Sequence, residues 1–215
     1  MTIISTLGFI GLGVMGGPMC RNVAAKHPAP LWAFDMSAAA LDAAVAAGAH
    51  KAASVAEVAE QADVVFLSLP GGKQVAAVCA ALAKPGLTII DLSTTSVADA
   101  REIAARLAGQ GITFIDAPVA RTRQAAIDGT LSIMVGASDE QFAAVEPLLR
   151  YIGSDVTHCG EVGCGQVVKL VNNCLLFENV AAIAEMMVVA ERAGVSADKL
   201  IAAVGLGSGN SFALQ

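Results

Sequence analysis

Short apolar segments alternate with helical segments over residues 7–159, and no other feature of this 215-residue sequence restricts the fold as strongly. Seven apolar runs have the length and composition of strands: Leu7–Ile10, Leu31–Phe34, Val64–Leu69, Leu87–Asp91, Thr113–Asp116, Ser132–Val135 and Val156–Cys159. Six segments between them have the pattern of helices: Gly17–Lys26, Ala38–Ala47, Val55–Ala62, Lys73–Ala83, Val97–Gly109 and Glu140–Tyr151. Strands and helices alternating at this spacing form βαβ units, so we predict an α/β domain with a doubly wound, mostly parallel sheet.

The pattern changes near Gly163. Residues 166–193 read as one helical stretch that would be about 42 Å long, and Asp198–Val204 as a second helix. Apolar residues occupy most of the long helix's circumference, which predicts packing partners on several sides. We therefore predict a first domain over residues 1–163. Residues 164–215 are predicted to form a long helix and the truncated start of an all-helical domain.

A glycine-rich turn follows the first predicted strand and opens the first predicted helix. It consists of Gly11, Leu12, Gly13, Val14, Met15 and Gly16. In a dinucleotide-binding fingerprint, the first glycine makes the tight turn and the second lets the backbone approach the pyrophosphate. The third glycine lets helix and strand pack closely, and the helix N-terminus presents free N–H groups to the phosphates. An ordinary tight turn is the alternative, but the position between strand and helix favours a Rossmann-type cofactor site.

Asp35 closes the second predicted strand, about 20 residues after the glycine-rich turn, where the fingerprint requires an acid. A carboxylate there bonds the ribose hydroxyls and repels a 2′-phosphate, which favours NAD over NADP as cofactor. The alternative is that Asp35 is a turn residue at the start of a helix.

Further cofactor contacts follow from topology, because ligands of such sheets lie beyond the carboxyl ends of the strands. Leu69 and Pro70 end one predicted strand, and Ser93 and Thr94 follow the next. We expect these hydroxyls to reach the nicotinamide ribose, with Ser93 also a candidate for substrate binding. The alternative is that they cap the helix that begins at Val97.

Polar side chains interrupt the apolar start of the long helix. Lys169, Asn172 and Asn173 are spaced i, i+3 and i+4, so a helix places them on one face. A lysine in partly dry surroundings has a lowered pKa and can act as an acid or base near neutral pH. The amides can bond a substrate or orient the ammonium group. A solvated stripe is the alternative, and the apolar neighbours weaken it.

The sequence resembles the 3-hydroxyisobutyrate dehydrogenase family, the β-hydroxyacid dehydrogenases, over essentially the whole chain. The matching motifs, in chain order, are GFIGLGVMGGPM, FD, DLST, DAPV…GTLSIMVGA and GCGQVVKLVNN.

The resemblance implies a Rossmann domain followed by a helical domain, reached through a long shared helix. It also implies reversible, nicotinamide-dependent oxidation of a 3-hydroxy acid to a semialdehyde. Lys169 matches the family's catalytic lysine, which donates a proton to the carbonyl oxygen in reduction. Asn173 matches its substrate-binding amide and Thr94 the threonine near the nicotinamide. Direct hydride transfer implies no metal.

The loop after Asp-Ala-Pro-Val departs from the family. Most members continue with Ser-Gly-Gly, whereas this chain has Ala120-Arg121-Thr122-Arg123. A similar arginine-threonine loop occurs in the 3-sulfolactaldehyde reductase branch. Because guanidinium groups recognise anions in a bidentate way, we predict that Arg121 and Thr122 bind a substrate with a strong terminal anion. The alternative is that the arginines lie on the surface.

The chain also stops before the family's further helical domain, which closes over the substrate. This predicts either a fragment of a longer product or a shortened, inactive protein. A non-catalytic NAD-binding module is therefore the competing hypothesis from another class. Within enzymes, Lys169 argues against imine reductases, and Asn172 stands where 6-phosphogluconate dehydrogenases have a histidine.

Composition restricts the partners. The net charge of −6 argues against nucleic acid, which needs a dense basic face. Polar residues within 167–189 argue against a membrane span. Five cysteines without a Cys-x-x-Cys pair argue against a zinc site. We predict a cytoplasmic protein without metal, acting on a small anionic substrate as a homodimer or homotetramer.

Overall fold

A computed structural model describes residues 5–214, and nine strands and nine helices occur within them. The strands are β1 (Leu7–Ile10), β2 (Leu31–Phe34), β3 (His50–Lys51), β4 (Val64–Leu67), β5 (Thr88–Asp91), β6 (Thr113–Asp116), β7 (Val119–Ala120), β8 (Leu131–Gly136) and β9 (Gly153–Gly160). The helices are α1 (Gly16–Lys26), α2 (Ala38–Val45), α3 (Val55–Gln61), α4 (Gly72–Ala81), α5 (Val97–Ala108), α6 (Arg123–Asp128), α7 (Asp139–Leu149), α8 (Cys164–Arg192) and α9 (Ala197–Val204).

The strands within residues 5–214 form one sheet in the order β3-β2-β1-β4-β5-β6-β8-β7, with β9 beside β8. The pairs from β3 to β6 are parallel, whereas β8 runs antiparallel to β6 and β7. The order 3-2-1-4-5-6 is that of a Rossmann sheet, so the predicted fold class is confirmed. The strand order reverses between β1 and β4, which is where such sheets bind ligands.

Two apolar clusters cover the two faces of the sheet. Leu7, Phe9 and Phe66 of one face pack with residues of α1, α2, α6 and α7. Val65 and Leu67 of the other face pack with residues of α3, α4 and α5. Strands buried on both faces explain the continuous apolar runs in the sequence.

Several elements differ from the predictions. The predicted strand Val64–Leu69 ends at Leu67, because the following residues turn into the loop before α4. The last strand is longer than Val156–Cys159 and spans Gly153–Gly160. β3, β7 and α6 were not predicted, since strands of two residues and a helix of six are too short to show a period.

The chain divides into two compact units, residues 1–169 and residues 170–215. The predicted domain boundary between residues 163 and 164 stays a prediction. α8 begins in the first unit and is long and apolar enough, by length and composition alone, to cross a membrane. Core helices of other proteins meet the same criterion. Placing the charged side chains of Lys169, Glu178 and Glu185 in hydrocarbon would cost free energy, which argues against a membrane span. The absence of a membrane partner stays a prediction.

Candidate active site

A cleft of about 1030 Å³ opens in the first unit at the carboxyl ends of β1, β4 and β5. It lies at the reversal of strand order, the expected ligand position in this topology. Twelve of the predicted site residues line it: Gly11, Gly13, Val14, Met15, Gly16, Asp35, Leu69, Pro70, Ser93, Thr94, Arg121 and Lys169. The fold thus brings together residues that are up to 158 positions apart, counted from Gly11 to Lys169.

The three fingerprint glycines differ in what surrounds them. A Cβ on Gly16 would overlap the Gly11 carbonyl oxygen, and Gly11 itself has φ +92°. These two glycines are therefore required by the turn and by helix packing. A Cβ on Gly13 would meet no protein atom within 4 Å, although Gly13 lines the cleft. The open space beside Gly13 fits the close backbone approach to a pyrophosphate.

Asp35 lies half-buried just beyond β2 and is fixed by two backbone N–H groups. One carboxylate oxygen accepts a hydrogen bond of 2.6 Å from Leu12, and the other accepts one of 2.7 Å from Ser37. Each oxygen keeps a lone pair free, because a carboxylate offers about four acceptor positions. Asp35 can therefore hold the loop and also accept from ribose hydroxyls.

The loop after β5 forms the next part of the cleft wall. Ser93 is buried, and its hydroxyl accepts a hydrogen bond of 2.9 Å from the backbone N–H of Leu69. Thr94 is exposed towards the cleft. Ser96 caps α5 by accepting from the Asp99 N–H, so the capping role belongs to Ser96 rather than to Ser93 or Thr94.

Two buried carboxyl groups lie side by side behind this wall, since Asp91 of β5 and Asp116 of β6 are register partners. Asp91 accepts from the Ser93 N–H at 3.0 Å, whereas its second oxygen has no partner within residues 5–214. Burial, chiefly, raises the pKa of Asp91 to about 7, and the charge of Asp116 adds to this. Burial also raises the pKa of Asp116, against the backbone hydrogen bonds that it accepts.

Lys169 lies on the second turn of α8 and is half-buried. Burial lowers its pKa from the ordinary lysine value. Lys169 lines the same cleft as Ser93 and Thr94. A lysine so placed can exchange a proton with an oxygen of a bound molecule near neutral pH.

Arg121 combines an unusual backbone with an engaged side chain. Its φ of +86° is the one positive value for a non-glycine within residues 5–214. Its guanidinium pairs with Asp155 at 2.8 Å and donates to Ser154 and to the Thr130 carbonyl oxygen. Arg121 lines the cleft, but its hydrogen bonds point to β9 and its surroundings.

The remaining predicted residues lie outside the lining of the cleft. The Leu12 side chain is buried in the core, so Leu12 contributes only its backbone to the glycine-rich turn. Thr122 is exposed at the start of α6. Asn172 and Asn173 belong to the second unit, where the Asn172 amide donates to the Asn173 oxygen at 3.3 Å.

Sequence reasoning missed cleft residues that carry no motif, among them Ser68 and Gln74. Ser68 follows β4, so the rule that ligands lie at strand ends could have found it. Gln74 lies in the first turn of α4 and gives no such signal. Met36, which is almost fully exposed, also lines the cleft beside Asp35.

Comparison with known proteins identifies the fold's relatives. Residues 6–160 match the family described as the NAD binding domain of 6-phosphogluconate dehydrogenase. Residues 163–215 match that described as NAD-binding of NADP-dependent 3-hydroxyisobutyrate dehydrogenase. The chain is 38% identical to 2-(hydroxymethyl)glutarate dehydrogenase of Eubacterium barkeri over 215 residues, covering 97% of this chain and 71% of the relative. The chain belongs to the 3-hydroxyisobutyrate dehydrogenase family.

Other members of the family are similar to this chain in sequence and in structure. A probable 3-hydroxyisobutyrate dehydrogenase of Mycobacterium tuberculosis is 37% identical, over 99% of this chain and 73% of its own. The solved structure of the Mycobacterium tuberculosis 3-hydroxyisobutyrate dehydrogenase with L-serine has a TM-score of 0.91 at 36% identity. It covers 98% of this chain, which in turn covers 73% of it. The predicted family is thus confirmed, and the first unit is an NAD(P)-binding domain.

Proposed function

We propose that this member of the family is an NAD-dependent dehydrogenase that transfers a hydride between the nicotinamide and a small 3-hydroxy acid or its semialdehyde. One observation carries the proposal. The half-buried Lys169 lines the same cleft as the fingerprint glycines and the Ser93–Thr94 loop. An acid–base group and a dinucleotide cradle in one cleft are what such a reaction requires.

Lys169 is the catalytic residue of the proposal. In the oxidation, its neutral amine takes the proton of the substrate hydroxyl, and in the reduction its ammonium group returns a proton to the carbonyl oxygen. The lowered pKa of Lys169 serves both directions, because both protonation states are then populated nearer to neutral pH. When bound, the nicotinamide supplies the hydride acceptor or donor.

The names of the relatives suggest the substrate class. 3-Hydroxyisobutyrate, 2-(hydroxymethyl)glutarate and L-serine share a hydroxymethyl group on the carbon next to a carboxylate. They differ only in the third substituent on that carbon. We propose the same unit for the substrate of this chain, with Ser93 as a polar contact. Asn172 and Asn173, which follow Lys169 at i+3 and i+4 in α8, stay a prediction of substrate contacts.

NAD is proposed over NADP because of Asp35. Its carboxylate is anchored at the end of β2, beside the glycine-rich turn, where a 2′-phosphate would meet its negative charge. The neighbouring residue in the cleft is Met36, which offers such a phosphate no positive charge.

A substrate with a strong terminal anion, such as 3-sulfolactaldehyde, is the second candidate. It is supported by Arg121, which lines the cleft and keeps a large side chain at a φ that favours glycine. Against it, the guanidinium already has Asp155 as a partner. Binding such a substrate would require the anion to replace or share that partner.

The test follows NADH at 340 nm. The 215-residue chain, and a version extended to the length of its relatives, are offered 3-hydroxyisobutyrate, 2-(hydroxymethyl)glutarate and L-serine for oxidation. Methylmalonate semialdehyde and 3-sulfolactaldehyde are offered for reduction. Oxidation of a hydroxymethyl acid supports the main proposal, and preference for the sulfonate supports the second. Tight NADH binding without turnover in either version favours a non-catalytic module.

Self-association is also proposed. Exposed apolar side chains recur along α8, among them Phe177 at 68% and Val189 at 58%, and exposed apolar surface is typical of interaction sites. Light scattering after gel filtration distinguishes a monomer from a homodimer or homotetramer. A cytoplasmic location stays a prediction.

A further inference from the structure

Gln166 is the residue that ties the helix of Lys169 to the cleft wall. Its side chain is completely buried. The amide nitrogen donates to the Ser93 carbonyl oxygen at 2.9 Å, and the amide oxygen accepts from the Thr95 N–H at 3.1 Å. These bonds span the loop that carries Thr94. Gln166 precedes Lys169 by three residues, less than one turn of α8.

The backbone of Gln166 is fixed as well. The Asp116 carboxylate accepts from the N–H groups of Gly163 at 2.6 Å and Gln166 at 2.9 Å. A Cβ on Gly165 would overlap the Met134 carbonyl oxygen, so α8 packs directly on β8. The backbone of the first turn of α8 is therefore held against β6 and β8, and Gln166 is the one side chain of this turn, within residues 5–214, that hydrogen-bonds to the loop after β5.

Ser93 extends these hydrogen bonds along the wall of the cleft. Ser93, whose carbonyl oxygen receives the Gln166 amide, also accepts the Leu69 N–H on its hydroxyl. A chain of hydrogen bonds thus runs from the first turn of α8 through Ser93 to the loop after β4. It joins two loops that line the cleft to the helix that lines it with Lys169.

A neutral amide satisfies both backbone groups of this loop at any pH. The Ser93 carbonyl needs a donor and the Thr95 N–H needs an acceptor, and a neutral glutamine offers one of each. Methionine has a similar shape but neither group. An ionised glutamate has no donor, whereas a protonated one has both.

We propose that Gln166 is a positioning residue, which holds the Lys169 amine in register with the Ser93–Thr94 loop for the reaction. The proposal rests on the proposed function. It gives the glutamine of the GCGQVVK motif a role distinct from that of Lys169, since Gln166 does not line the cleft and acts only through its neighbours.

The experiment compares Gln166→Met and Gln166→Glu with the wild type. We expect Gln166→Met to lower kcat by about 10- to 100-fold, because small misplacements of a reacting group have effects of that size. KM and the Kd for NADH should change by less than about threefold. Gln141→Met is the matched control: it removes a side-chain acceptor from the capping box of α7, which does not line the cleft. It should lower Tm without lowering kcat.

Gln166→Glu supplies a conservative rescue that depends on pH. Burial and the nearby Asp116 raise the pKa of the introduced carboxyl group, which donates to the Ser93 carbonyl while it is protonated. The kcat of this variant should approach the wild type at low pH and fall as the group ionises. The ratio of variant to wild-type kcat is the measured quantity, and it should be independent of pH in Gln166→Met.

A readout without turnover separates this proposal from the proposed function. Peptide mass spectrometry measures, at a series of pH values, how fast an amine-reactive reagent modifies Lys169. The five other lysines serve as internal references. In Gln166→Met the pKa of Lys169 should rise towards the ordinary value, because a loosened α8 admits water. If the wild type turns over no 3-hydroxy acid, the proposed function fails, and this titration still decides on Gln166.

Two results would overturn the proposal. One is a folded Gln166→Met or Gln166→Glu with kcat within about twofold of wild type at every pH. The other is an unchanged titration of Lys169 in both variants. If Gln166→Met does not fold, Gln166→Glu at low and high pH decides alone.

Discussion

The Asp35 carboxylate accepts a hydrogen bond of 2.6 Å from the backbone N–H of Leu12, inside the glycine-rich turn. Asparagine keeps this acceptor and removes only the charge. Asp35→Asn should therefore leave the loop intact and improve NADPH binding relative to NADH by roughly 10- to 100-fold, the size expected when a close like charge is removed.

The two Kd values are measured by quenching of protein fluorescence. Asp42→Asn, on the exposed side of α2, is the control for the loss of one charge. An unchanged NADH to NADPH ratio in Asp35→Asn would rule out Asp35 as the selector.

Lys169→Met should lower kcat by about 10²- to 10⁴-fold with little change in NADH binding, because it removes the acid–base group alone. In the wild type, oxidation should rise and reduction should fall as pH increases through the lowered pKa of Lys169. Steady-state rates against pH in both directions check the sign. Lys199→Met, an exposed position in α9, is the control and should retain full activity.

Gly13→Ala and Gly16→Ala should separate a glycine needed for the ligand from one needed for the fold. No protein atom lies near a Cβ at position 13, so Gly13→Ala should keep Tm within a few degrees and weaken NADH binding. A Cβ at position 16 overlaps the Gly11 carbonyl, so Gly16→Ala should lower Tm strongly. Calorimetry and NADH titration measure both. Equal loss of Tm in the two variants would contradict this difference.

Asp91→Asn should change how stability depends on pH. The folded-state pKa of Asp91 is raised to about 7, so the wild type has its full share of stability below the unfolded pKa near 3.8 and loses it as pH rises to about 7. The free energy of unfolding of Asp91→Asn should therefore exceed that of the wild type by at most about 4 kcal/mol at pH 7 and above. Urea unfolding at pH 4, 5.5 and 7.5 measures the difference, with Asp42→Asn as the control for the loss of an exposed carboxyl group.

Arg121→Gly should be more stable than Arg121→Ala by about 1 kcal/mol, because only glycine adopts a φ of +86° without strain. Both variants lose the same guanidinium, so the comparison isolates the backbone. At Arg123, which begins α6, the order should reverse, since glycine is the poorer helix residue. Urea unfolding of the four variants gives the sign of each stability difference.

In kinetics, Arg121→Ala should mainly raise KM for an anionic substrate. An unchanged KM and kcat would exclude Arg121 from the substrate site.

Local sequence patterns were sufficient to predict the Rossmann sheet and to select the fingerprint turn, Asp35 and Lys169, which the fold places at one cleft. Each of these carries its signal within a few residues: a buried apolar run, three spaced glycines, an acid at a strand end, a lysine in an apolar helix. β3 and β7 have two residues each and are formed by pairing with a neighbour, which no local pattern records.

The supports of the site could not be predicted in the same way. Gln166 bonds to Ser93 across 73 positions, and Asp116 bonds to Gly163 across 47. These pairs form because β5 and β6 are neighbours in the sheet and β9 ends beside Gly136 of β8, which is the register partner of Asp116. Likewise, a guanidinium in the loop suggested anion binding, but its pairing with Asp155 depends on where β9 lies.

One oxygen of Asp91 has no partner within residues 5–214, and this has a consequence for how sequences of this fold vary. A buried carboxyl group beside Asp116 works against folding at neutral pH, so selection for heat resistance alone should repeatedly recover substitutions at this position. Selection for turnover should remove the same substitutions wherever the Ser93 loop shifts with them. Selection for thermal stability and selection for turnover would then favour different residues at this one buried position.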